Sequence, residues 1–112
     1  MSKEKYQEIL NFWFKESSQQ DHWSKNNEYD KKIHDLFMVD LEKAIRNEYD
    51  DWQDNSKSSL ALIILLDQFS RNLFRNDPRS YAQDTKSRLL VTEGVDREYL
   101  DELDPPERLF YL

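Results

Sequence analysis

The stretch Leu60-Ala61-Leu62-Ile63-Ile64-Leu65-Leu66 decides the fold of this chain. An unbroken apolar run has no periodicity of its own, so it reads equally as a buried strand or a buried helix. Three observations select the helix. Leucine and alanine favour it, the serine-rich start Ser56-Lys57-Ser58-Ser59 supplies caps, and the neighbouring segments carry helical spacing. A helix that is apolar on every side belongs at the centre of its domain.

Working outward, Tyr6, Ile9, Leu10, Trp13 and Phe14 follow the i, i+3, i+4, i+7, i+8 rule and predict an amphipathic helix over about residues 3–16, with Ser2 placed to cap it. Tyr29, Ile33, Leu36, Phe37, Leu41, Ala44 and Ile45 draw a second stripe over about residues 28–48, with Lys31, Asp35, Glu42, Lys43 and Arg46 opposite. Asn27 is its candidate N-cap, and Asn47 suits the left-handed conformation that often ends a helix. The polar stretches between these helices hold Trp23 and Trp52, which pack such connections back on a core. Downstream, Ser70 to Arg75 reads as a short extra turn. Asp77-Pro78 opens a helix that runs to about Glu93, with Gly94 placed as its C-terminal cap. Asp104-Pro105-Pro106 opens another, carrying Leu109, Phe110, Tyr111 and Leu112. The expected fold is all-α: an antiparallel helical stack of four main helices and the start of a fifth, forming a single domain over residues 1–112.

Composition excludes several chemistries. The 112 residues contain one glycine, where average usage gives about eight, so Walker-type and dinucleotide-type phosphate loops are ruled out. With no cysteine there is no disulfide, zinc-thiolate site or cysteine nucleophile. Acidic residues outnumber basic ones by 23 to 16, for a net charge of -7. That balance argues against nucleic acid and against anionic membranes as partners. The longest apolar run is far short of the roughly 20 residues that span a bilayer. The opening residues Met1-Ser2-Lys3-Glu4-Lys5 have no apolar leader pattern. The expected location is the cytoplasm.

One polar cluster stands out: Asp67, Gln68, Arg71, Asn72 and Arg75, with Arg79 beyond it. On a helix, Asp67 and Arg71 are i, i+4 partners, and Arg71 shares a face with Arg75. Guanidinium forks on one face fit an anion or a carboxylate-bearing peptide. They fit equally a structural ion-pair network that locks two helices. Arg79 sits at a helix start, where its charge opposes the dipole. Asp50, Asp51 and Asp54 do not make a calcium loop, because Trp52, Asn55 and Ala61 stand where an oxygen ligand, glycine and glutamate are needed. His22 and His34 form no metal-binding spacing. The aromatics Trp13, Phe14, Trp23, Trp52, Phe69 and Phe74 read as core. No catalytic residue, metal site or cofactor is expected.

Several strings together carry a resemblance: Ile9-Leu10-Asn11-Phe12-Trp13-Phe14, the run from Leu60 through Asp67-Gln68-Phe69, Arg71-Asn72-Leu73-Phe74-Arg75, and Arg108-Leu109-Phe110-Tyr111-Leu112. The chain resembles domain-of-unknown-function family 924, uncharacterised bacterial proteins with a tetratricopeptide-like helical fold. The family commonly has proline where Ser70 stands, and glycine where Asn47 and Asn76 stand. Its members continue past this C-terminus into further helices, so the resemblance implies the N-terminal portion of a longer domain. Leu109, Phe110 and Leu112 would then lack their cover and could drive self-association. The family carries no established activity.

Two functions remain. The first is a non-enzymatic module for a protein or peptide partner, with the Arg71/Arg75 face as its anchor. The alternative is a small-molecule or anion-binding protein, or an enzyme, using Asp67, Gln68, Arg71 and Arg75 in a polar pocket.

Overall fold

The computed structural model of the chain describes residues 2–17, 27–74 and 77–111. His22, Trp23, Arg75, Asn76, Leu112 and the side chain of Leu109 lie outside the described residues. The apolar run is helical. Asn55 opens it as N-cap, its extended backbone (φ -140°, ψ 143°) letting the side chain accept the Lys57 amide at 3.0 Å. Three segments then run on without a break: α3 will denote Ser56–Ile63, followed by a π-helical stretch Ile64–Phe69 and by α4, Ser70–Leu73. Leu60 to Leu66 are each no more than 2% exposed. The expected short turn after Ser70 is instead the end of this central helix. Ser70 is fully buried with helical dihedrals (φ -58°, ψ -41°), a position where a proline would remove the amide donor and break the helix.

Three helices surround the central one. α1 (Ser2–Asn11) packs on α3 and continues as a π turn, Phe12–Glu16. Widening at that turn brings Phe12, which lies off the expected stripe, to 2% exposure beside Trp13. Its ring stacks on Tyr29 at 5.6 Å and meets Phe37 and Phe69 edge-on at 5.3 and 6.0 Å. α2 (Asn27–Ile45) packs on the π stretch and α4, with Tyr29, Ile33, Phe37, Leu41 and Ala44 buried. Leu36, expected on that face, is 48% exposed because it sits at the edge of the stripe. Asn47 ends the helix at φ 67° as expected. The polar connection after it contains a 3₁₀ turn, Asp50–Asp54, whose Trp52 is buried and stacked on Tyr49 at 4.1 Å.

Two expectations on the C-terminal side need correction. Asp77 caps as expected, accepting the Arg79 amide at 2.9 Å, yet Pro78–Tyr81 is only a 3₁₀ turn. The α-helix proper, α5, runs from Asp84 to Asp96 and packs on α3 and the π stretch. The turn redirects the chain so that Asp84 faces Arg71. Gly94 is not a cap. It lies buried inside α5, where an added Cβ would overlap Cε1 of Tyr111. The left-handed residue is Glu98, at φ 63°. Asp104 opens α6 (Pro105–Arg108), and its amide donates back to the Glu107 carboxylate at 2.8 Å. Lys57 pairs with the same carboxylate at 2.7 Å, tying this last segment to the start of α3. Phe110 sits against Trp13 and Phe14, at 6.1 and 5.9 Å. The described residues contain no strand.

Candidate functional site

The central helix leaves the core at its π stretch, and the polar cluster begins there. Gln68 Nε2 donates to Asp67 Oδ2 at 2.7 Å. Arg71 pairs through Nη1 with the Asp67 carboxylate and also bonds the Asp67 carbonyl at 2.8 Å. Its Nη2 lies 3.2 and 3.3 Å from the two oxygens of Asp84 on α5. The guanidinium also stands over the Tyr81 ring at 5.2 Å. Partial burial works against the Arg71 charge, but the carboxylates of Asp67 and Asp84 outweigh it and hold the guanidinium above its ordinary pKa. Asn72, one residue on, donates to Asp30 of α2 at 2.9 Å. Asp67, Gln68, Arg71 and Asn72 are therefore joined in one neighbourhood, with partners on α2 and α5.

Arg79 stands apart. Its side chain is 68% exposed, pairs with Asp77 at 2.9 Å and covers the Phe74 ring at 4.5 Å. His34 is exposed on the flank of α2, 3.4 Å from Asp35. No group of three or more His, Asp or Glu side chains among the described residues is arranged to hold a metal ion.

Three charged groups outside the expected cluster also organise the molecule. Asp40 is 4% exposed, accepts the Tyr49 hydroxyl at 2.6 Å, and lies 3.4 Å from Lys5 Nζ. Its spacing, seven after Ile33 and four before Ala44, already put it on the buried face. Lys86 of α5 bonds the Ala44 carbonyl at 3.1 Å, the Asn47 side chain, and Asp50 at 2.9 Å. It satisfies the carbonyl end of α2 with a cation, as the helix dipole favours. Asp84 has no such signal, because its partner Arg71 lies on another helix.

On another face of α5 a groove opens beside the turn Asp50–Asp54. It has a volume of about 470 Å³ and is lined by Gln53, Lys86, Leu89, Thr92, Glu93 and Asp96, with buried Leu90 below. Leu89 is 65% exposed there.

The sequence matches the model of a family described as "Bacterial protein of unknown function (DUF924)" over residues 9–112. The chain belongs to that family. A solved structure of a protein of unknown function from Agrobacterium tumefaciens is similar, with a TM-score of 0.93 and 32% identity. That match covers 99% of this chain and 62% of the Agrobacterium chain, so this chain spans under two thirds of the length of that structure. No curated protein matches the chain. Family membership agrees with the strings quoted above. No helix among the described residues is long and apolar enough to cross a membrane.

Proposed function

We propose that this DUF924 domain is a non-enzymatic interaction module that receives a partner segment in the groove between the turn Asp50–Asp54 and α5. The observation that carries this reading is the solvent-open groove itself, in which Leu89 stands 65% exposed beside Leu90, whereas Val39, equally exposed, does not line it. The polar cluster supports it indirectly. Arg71 is engaged by two carboxylates, so it serves first as a clamp between the central helix and α5. Selection of displayed random peptides against the folded domain tests the reading. Enriched peptides should lose binding with Leu89→Ser and keep it with Leu36→Ser, whose side chain is exposed on α2. Selection with no enrichment, or enrichment indifferent to Leu89, removes the support.

A second reading places an anion or a carboxylate ligand at Asp67, Gln68 and Arg71, with Arg75 and Arg79 beyond. One observation favours it: the Asp84 contacts, at 3.2 and 3.3 Å, are longer than the roughly 2.7–2.9 Å of a tight charge-assisted bond. Asp84 is thus the partner a ligand would displace. Alanine at Arg71 and Arg75 should then abolish binding, whereas Asp84→Ala, which breaks the same clamp, should keep it. A lowered melting temperature with binding intact identifies a clamp alone.

A further inference from the structure

We infer that the segment received by the α5 groove is a short amphipathic helix carrying lysine or arginine beside its apolar face. This inference rests on the reading of the groove as a docking site and names the class of its partner. The floor and one wall are apolar, formed by Leu90 and Leu89. The charged lining residues are Glu93 and Asp96 against Lys86, and Asp50, Arg97 and Asp54 adjoin them through ion pairs. The two cations are already engaged. Lys86 is held by Asp50 at 2.9 Å and by the end of α2. Arg97 is held by Glu93 at 2.6 Å and reaches Asp54 at 3.6 Å. Asp96 lines the groove without an ion-pair partner among the described residues, and Asp54 is 78% exposed. An arriving cation therefore finds acceptors, whereas an arriving carboxylate finds repulsion.

Size fits a helix as well. The 13 residues of α5 extend about 20 Å, the length of a partner helix of about three to four turns. Such a helix lays its apolar face in a groove and its polar flanks on the rim.

The test uses the whole chain and two fluorescein-labelled peptides of about fourteen residues, one of leucine and lysine in amphipathic order, the other with glutamate for each lysine. Fluorescence anisotropy at low and moderate salt reads the affinity. The lysine peptide should bind at least about ten-fold more tightly than the glutamate peptide, with the gap shrinking as salt rises. Leu89→Ser and Asp96→Lys should each weaken it by about ten-fold, and Leu36→Ser should leave it unchanged. Lysine-peptide binding that ignores both substitutions means adhesion to an acidic surface and overturns the inference. A preference for the glutamate peptide that Leu89→Ser abolishes overturns the cationic class and leaves the docking reading standing. Binding of neither peptide overturns the cationic class too, and the random-peptide selection then decides the docking reading separately.

Discussion

Replacing Gly94 by alanine should destabilise this protein, although alanine is the better helix former. The Cβ would overlap Cε1 of Tyr111 and stand 3.1 and 3.2 Å from two further ring carbons. Tyr111 is 4% exposed, so its ring must leave the surface of α5. A buried aromatic ring covers roughly 150–250 Å², worth about 4–6 kcal/mol at 25 cal/mol/Å². Against that, alanine improves helix propensity by about 1 kcal/mol, and freeing the last residues returns roughly another 1–2 kcal/mol of chain entropy. The net loss is about 2 kcal/mol. Urea unfolding reads it as a midpoint lowered by about 1 M, given slopes of roughly 1–3 kcal/mol/M. The deciding measurement is the double-mutant cycle with Tyr111→Ala. Once the ring is gone, Gly94→Ala should change sign and stabilise by about 1 kcal/mol. Equal destabilisation in both backgrounds, or none in the wild-type background, would refute the reasoning.

Three further outcomes follow from the backbone and the buried charges. Asn47→Ala should be less stable than Asn47→Gly by about 1 kcal/mol in thermal unfolding, because both lose the bond from Lys86 but only alanine is strained at φ 67°. Asp40→Ala should cost about 2–3 kcal/mol by the same assay, since it strands the Tyr49 hydroxyl and removes one of the two carboxylates paired with Lys5. Tyr49 is held above its ordinary pKa of 10.0, first by burial and then by its bond to Asp40. Its protonated form favours the folded state, so this contribution is complete below pH 10 and is lost as pH rises from there toward the folded value. An absorbance titration should show Tyr49 ionising only with unfolding, and a freely titrating set of tyrosines would contradict this.

The parts of the fold legible in the sequence are those set by local chemistry. Leu60 to Leu66 read as a buried helix from their composition and their flanks, and Asn47 and Asp77 mark element ends by side chains that tolerate or bond the local backbone. What escaped depends on distant partners. Gly94 reads as a cap until Tyr111, seventeen residues later in the chain, is known to lie on it. Arg71 and Asp67 form a pair visible from spacing, but Tyr81 and Asp84 join them only because a 3₁₀ turn delays the start of α5. Asp40 was within reach of periodicity, and its polarity hid it. The groove beside α5 has no local signature, since Leu89 looks like any other apolar residue on an amphipathic helix.

The π stretch Ile64–Phe69 bears on how this helix tolerates changes in chain length. A π turn accommodates an additional residue within an otherwise α-helical ladder. Removing one residue there lets the turn tighten while the segments on either side keep their faces. Arg71 and Asn72 would still point to Asp84 and Asp30. The same deletion within Ser56–Ile63 has no slack to absorb it. It would rotate everything downstream by about 100°, and the clamp between α2, the central helix and α5 would come apart.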